Sequence, residues 1–279
     1  MAIACAVVIL LIVLVALFAP VIADAVGHKP NEADQLGGLT PEGLPLGPTW
    51  SHPFGTDYLG RDVFIRVMYA ARISLVAGVV ASTVAVVLGV LVGLLAGYAG
   101  GIVDTVLART MDVILSFPFL LFGIALVSIS GPSLAVVIGV IAFFSWAAVG
   151  RIVRGQTISL KEREYIEAAR SLGANPFRIM FVEIFPNLIA PVLVYLTLLI
   201  PSAIVFEATL SFLGLGVIPP TPTWGNMLAE SLGFYQVAWW YVFFPAVALL
   251  ITTLAFNLLG DSVRDALDPR GEHLFREQR

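Results

Sequence analysis

The side chains able to do chemistry in this sequence are few and scattered. A hydrolase needs a nucleophile with a base in reach, and a metalloenzyme needs clustered ligands. The histidines are His28, His52 and His273, far apart in the chain, with no His-Glu-x-x-His or Gly-x-Ser-x-Gly pattern around them. His52, within "HPFG", reads as a structural loop residue, and His273 as a solvated tail residue. A phosphate-binding P-loop needs a lysine between glycine and serine or threonine. Lys29 follows His28 and Lys161 follows Leu160, so ATP chemistry would belong to a partner. The single cysteine, Cys5, excludes a disulfide within the chain and lies in an apolar run as a membrane-helix packing residue. What remains is a surface: residues 159–186, "SLKEREYIEAARSLGANPFRIMFVEIFP", a dense island of charge.

The island parses as two short helices. Ser159 and Glu162 have capping-box spacing. Gly173 supplies a left-handed residue to end the first helix, and Tyr165, Ala168, Ala169 and Leu172 fall on one face of it. Asn175 and Pro176 suit the N-cap and first position of a second helix, on which Phe177, Met180, Phe181 and Ile184 repeat the spacing. Pro186 marks a boundary before the next apolar run. Glu167 has Arg163 four residues before it and Arg170 three after, so it can pair within its own helix. Both stripes suit a partner surface, and equally the chain's own helix ends.

The elements that must position this island are membrane spans. The 279-residue chain is 59% hydrophobic and 12% charged, with a mean hydropathy of +0.96. A soluble domain is nearer one-quarter charged, so a cytosolic globule is excluded. A span needs about 20 apolar residues. Six runs qualify: Ala2–Ile22, Ile73–Tyr98, Val106–Ile129, Leu134–Val149, Leu188–Phe206 and Tyr241–Leu259, the fourth being short. The first lacks a basic flank and a clear cleavage pattern, and reads as an uncleaved anchor. Net charge, −4, is uninformative, because basic residues act by side. Arg151, Arg154, Lys161, Arg163, Arg170 and Arg178 lie between the fourth and fifth runs, and Arg264, Arg270, Arg276 and Arg279 after the sixth. From Glu207 to Trp240 there is no basic residue, but there is an aromatic cluster of Trp224, Phe234, Tyr235, Trp239 and Trp240. With six spans, these biases put the island and both termini in the cytoplasm. Arg61, Arg66 and Arg72 then fall outside, with Asp57 and Asp62 nearby to offset them. The external segment from Ala23 to about Ala71 reads as an ordered loop ending in a short helix.

"EAARSLG" followed by a helix ending in "IFP" resembles the EAA loop of permease subunits in binding-protein-dependent ABC importers. Glu167, Ala168, Ala169 and Gly173 match that motif's fixed positions, while Phe185-Pro186 departs from its usual Leu-Pro. "HPFGTDYLGRDVF" (52–64), "ARISL" (71–75), "LSFLGLGVIPPTPTWGNML" (210–228) and "NLLGDSVRDALDPR" (257–270) are similar to the C-type permeases of dipeptide, oligopeptide and nickel importers. Members usually carry a basic extension before the first span, where here Met1 runs directly into apolar sequence.

The resemblance implies an all-α polytopic protein with six transmembrane helices and the type I ABC importer permease fold. Residues 1–71 would hold the first span and external loop, 72–261 the permease domain with its coupling loop at about 150–187, and 262–279 a cytoplasmic tail. It implies a B-type permease completing a heterodimer in the lipid bilayer, cytoplasmic ATPase subunits that bind ATP and magnesium, and an extracytoplasmic substrate-binding protein. The chain itself would hold no metal or other cofactor, catalyse nothing and bind no nucleic acid. The coupling residues would be Tyr165, Glu167, Ala168, Ala169, Leu172, Gly173, Asn175, Pro176 and Phe177; candidates on the external face are Glu207, Trp224 and Asn226. The cargo would be a dipeptide or oligopeptide. An ion-coupled secondary transporter or channel is the alternative, although the spans are nearly free of charge, with Asp112 and Glu207 near predicted ends and readable as buried helix-terminal pairs.

Overall fold

The computed structural model describes residues 2–267. Arg270, Arg276, Arg279, His273 and most of the expected tail lie outside the described residues. The described chain is helical, with no β-strand among those residues. In order the elements are α1 (Ala2–Val26), α2 (Val63–Ala99), α3 (Gly101–Ser116), α4 (Phe119–Ser130), α5 (Leu134–Lys161), α6 (Glu164–Ser171) and α7 (Pro176–Arg178). A π-helical stretch, Ile179–Ile184, leads into α8 (Phe185–Phe212), followed by α9 (Trp224–Ser231) and α10 (Trp239–Leu267). Five continuous helices are long and apolar enough to cross a membrane: α1, α2, α5, the run Pro176–Phe212 and α10. A sixth crossing exists if α3 and α4 count as one.

That third span is the main departure from the sequence expectation. Instead of one helix over Val106–Ile129, α3 and α4 meet at 86°. Pro118 lacks an N–H and forces the residue before it out of helical geometry. Phe117 is accordingly extended (φ −77°, ψ 137°). α3 is also more polar than a span, and its acids are tied to α5: Arg154 makes a forked pair with Asp104, one arm at 2.7 Å, and Arg151 and Arg109 both reach Asp112. Asp112 is exposed, so it is a surface pair and not the buried helix-terminal pair expected.

α2 is the axle of the bundle. Asp62 caps it through a 3.1 Å bond from the Ile65 N–H, and the chain leaves it at Gly100 with φ 67°. At about 1.5 Å per residue its 37 residues reach about 55 Å, well past a bilayer core. The expected short pre-span helix is simply its first turns. Gly89, Gly93 and Gly97 form a ridge against α5, where an added Cβ would sit 2.6 Å from Val149 Cβ, 2.6 Å from the Gly150 carbonyl oxygen and 2.7 Å from Thr157 Cβ. Membrane helices gain little hydrophobic drive from each other, so such small residues let the backbones touch and gain packing instead. This four-residue spacing was readable in the sequence and is the signal that pairs α2 with α5.

α5 starts on its N-cap, Ser133, which accepts a 3.2 Å bond from Val136 N–H. It continues twelve residues beyond Val149, through Ser159 to Lys161. The predicted capping box is therefore absent: Ser159 is inside α5 and Glu162 is its C-cap. Pro186 does not break the chain either. Pro186 stands just after the π-helical stretch within one continuous run, Pro176–Phe212, where the widened turn accommodates its missing N–H.

Candidate functional site: the exposed coupling loop and the buried polar end

The 159–186 island is anchored by a few apolar side chains. Ile166 is fully buried and joins Ile179, Ile184 and Leu188 in a cluster with Val90, Leu94, Val149 and Val153 of α2 and α5. Arg170 lies over the Tyr98 ring at 5.7 Å, and Asn187 Nδ2 donates to the Tyr165 hydroxyl at 3.3 Å, tying α6 to the ends of α2 and α8. Ile166 is the residue that sequence reasoning missed. It is the most apolar side chain of α6 and sits one position off the stripe that was chosen.

The chosen stripe faces outward. Tyr165 is 43% exposed, Leu172 89% and Phe177 72%; Glu167 and Ala168 are exposed and Ala169 half-buried. On the second stripe Met180 and Ile184 are buried, whereas Phe181 joins Phe177 in solvent. The reading in which both stripes lie on the chain's own helix ends therefore fails for α6. No ion pair among the described residues ties Glu167 to Arg163 or Arg170, so the expected in-helix pairing is absent too.

Two local devices hold this face. Gly173 has φ +80°, with its N–H bonded to the Arg170 carbonyl at 2.9 Å and the Ala174 N–H to Ala169 at 3.0 Å. That left-handed turn ends the helix and redirects the chain. Asn175 then caps α7, its Oδ1 accepting from Arg178 N–H at 2.8 Å, with Pro176 at the first position. Both expectations match.

At the other end of α2 the polar residues are buried and paired. Arg61 Nε donates to Asp57 Oδ2 at 2.6 Å, and Glu230 Oε2 accepts from Arg61 (3.0 Å), Arg66 (3.2 Å) and the Tyr241 hydroxyl (2.6 Å). Arg66 also donates to the Pro30 carbonyl at 3.2 Å. Burial opposes the charge of Arg61, but Asp57 and Glu230 outweigh it and raise its pKa above the usual value. Asp57 thus does offset Arg61, as expected; the second acid is Glu230, 164 residues from Arg66, and not Asp62. Asp62 instead receives His28 and His52, two histidines that looked unrelated in sequence.

The three external-face candidates are interior residues. Glu207 is buried on α8, where it accepts from Ser74 at 2.8 Å and Ser211 at 2.6 Å. Trp224 is 1% exposed and donates to the Val67 carbonyl at 3.2 Å. Asn226 completes a capping box with Thr223 at the start of α9. The cause is Gly225: an added Cβ would lie 2.1 Å from the Ala208 carbonyl, so α9 presses directly on α8 and takes Trp224 inside. None of the three presents a free side chain to solvent.

Comparison with known proteins agrees with this architecture. The dipeptide transport system permease protein DppC of Alkalihalophilus pseudofirmus is 42% identical over 258 residues, covering 92% of this chain and 82% of that protein. The glutathione transport system permease protein GsiD of Shigella flexneri serotype 5b is 44% identical over 270 residues, covering 97% and 86%. Two inward-facing structures of the MetNI methionine ABC transporter share the fold, with TM-scores of 0.57 and 0.59 at 19% and 17% identity. They cover 73% and 74% of this chain and 96% and 97% of theirs. Residues 89–273 match the model of the binding-protein-dependent transport system inner membrane component. With α2 to α10 arranged as described and relatives above 40% identity along nearly its whole length, the chain belongs to that family of ABC importer permeases.

Proposed function

We propose that this permease forms half of the translocation pathway of a peptide importer, and that α6 and α7 are the surface gripped by an ATPase subunit. The observation that carries the reading is the exposure of Leu172, Phe177 and Tyr165 on a face whose backbone is fixed by Ile166, Gly173 and Asn175. A rigid element with an apolar exposed face transmits displacement to the spans it continues into, here α5 and α8. The peptide cargo is proposed from the relatives' names, which specify dipeptide and glutathione transport.

In this reading a B-type permease completes the pathway within the bilayer. ATPase subunits bind ATP and magnesium on the side of α6, and a binding protein delivers cargo at the opposite end of α2. The chain contributes no P-loop, cofactor or catalytic group, and both termini face the cytoplasm. The ion-coupled alternative has nothing in its favour: Glu207 is enclosed by serines, and Asp112 is held by arginines at the surface.

The test is uptake of a dipeptide and of a glutathione-type tripeptide by the complex reconstituted in vesicles, driven by ATP or by a proton gradient. We expect ATP-driven uptake that Glu167→Lys abolishes while permease abundance is unchanged. Uptake driven by the gradient without ATP would overturn the reading. For orientation, a cysteine at Gln156 should be labelled only from the cytoplasm and one at the fully exposed Leu36 only from outside.

A further inference from the structure

At the capped end of α2, remote from the coupling loop, three segments converge on one carboxylate. Asp62 Oδ1 is occupied by the Ile65 N–H at 3.1 Å. Its Oδ2 is approached by His28 Nδ1 and His52 Nδ1, each at 2.9 Å. The two rings stack, with centroids 4.6 Å apart and planes 17° from parallel, so both Nδ1 edges address the same point. The Asp62 and His52 side chains are buried and His28 is half-buried. They line a cavity of about 230 Å³, with Lys29, Glu32 and Asp34 also in its lining.

We propose that His28, His52 and Asp62 form a site for one divalent first-row transition-metal ion, with zinc as the reference ion. Two imidazole nitrogens and a carboxylate oxygen are a borderline-soft set, which suits zinc, nickel, cobalt or copper and not calcium or magnesium. All three donor atoms lie within 4.8 Å of one another. Ligands bonded at about 2.0–2.1 Å in the tetrahedral geometry that zinc prefers are about 3.3–3.4 Å apart. Oδ2 lies 2.9 Å from each Nδ1, so an entering ion need spread the donors by only about 0.4–0.5 Å. Ligation uses the Nδ1 lone pair of each ring, so each bound imidazole carries its N–H at Nε2. The open side of the triad faces the cavity, where water completes the coordination and the Glu32 and Asp34 carboxylates balance the added charge.

Such an ion would join the end of α1, through His28, to the 49–62 loop and the first turn of α2. It would thereby staple a span with few other packing partners: only four residues of α1 are buried. The inference is independent of the coupling-loop reading.

The experiment uses the full chain in its complex, freed of metal by chelation and dialysis, with zinc titrated by calorimetry and cobalt added as a visible-absorption probe. One equivalent of zinc per chain is expected, with cobalt d–d bands and a raised melting temperature. His28→Ala and His52→Ala should each weaken zinc binding by at least about tenfold, since even outer-shell changes cost that much. Asp62→Asn keeps the helix cap and should do the same, while Glu32→Gln should change affinity far less. A monodisperse gel-filtration profile and a cooperative melt in detergent report whether each variant folded. Absence of stoichiometric zinc in the folded complex would overturn the proposal in favour of a hydrogen-bonded His-Asp-His cluster. Equal zinc affinity in a folded His28→Ala/His52→Ala variant would overturn it in favour of a surface-bound ion.

Discussion

Gly173 separates a backbone effect from every other effect in the coupling loop. Its φ is +80°, and a Cβ built there meets nothing within 4 Å. A substitution therefore meets no steric wall, and the whole cost is that of holding an L-residue in left-handed geometry, about 1–2 kcal/mol. The loop can bear that cost, or it can abandon the turn and release the bonds from Gly173 N–H to Arg170 and from Ala174 N–H to Ala169. If it abandons the turn, Asn175, Pro176 and Phe177 are redirected while Ile166 stays in its buried cluster. A penalty of this size lowers the fraction of docking-competent loop by about 5- to 30-fold.

The series Gly173→Asn, Gly173→Ala and Gly173→Val grades the penalty, because asparagine tolerates left-handed geometry and a β-branched residue does not. Permease abundance, ATPase co-purification at limiting ATPase and ATP-driven uptake are measured on the same membranes. We expect unchanged abundance throughout and ATPase retention in the order Gly, Asn, Ala, Val. Wild-type retention and uptake in the valine variant would refute the reasoning. So would abundance falling in step with retention, because the turn would then be serving the fold and not the docking.

Gly93→Ala places a Cβ 2.6 Å from the Gly150 carbonyl oxygen, so it should part α2 from α5 and reduce permease abundance on immunoblots before any ATPase effect appears. Glu230→Gln removes the charge shared by Arg61, Arg66 and Tyr241; breaking such a buried network costs about 3–5 kcal/mol, read as a lower melting temperature in detergent. Trp224→Ala opens a cavity between α2, α8 and α9 and should cost about 3–5 kcal/mol, so the variant should lose abundance and transport together and not transport alone.

Short-range features of the sequence were legible. The apolar runs located the spans, and the positive-φ glycine and the Asn-Pro start of α7 followed from local backbone chemistry, which needs no tertiary context. The capping box at Ser159 failed for a tertiary reason: α5 continues through it, with Thr157 held against Gly97 of α2. Periodicity chose Tyr165 and Leu172 correctly as one face, but it is silent about which side of that face the bundle covers. Ile166 answers that, because its pocket is made by α2, α5 and the π-helical stretch together.

The buried polar end was the least legible part, since its partners come from remote segments. Arg66 and Glu230 are 164 residues apart, and Trp240 reaches back 184 residues to bond the Thr56 carbonyl at 3.1 Å. That same network accounts for the arginines that counted against the proposed orientation. The positive-inside bias is a count of basic residues in short loops near the span ends. Arg61 and Arg66 are instead committed to Asp57, Glu230 and a backbone carbonyl, so their position is set by the fold's need to cap α2 and seat α9. Arg72 alone of the three is exposed, 5.8 Å from the Tyr69 ring. Against it stand Lys161, Arg163, Arg170 and Arg178 in the island, none of which makes an ion pair among the described residues, Arg151 and Arg154 being paired with Asp112 and Asp104. With paired arginines set aside on both sides, four basic residues of the island stand against Arg72, so the bias still supports a cytoplasmic coupling loop.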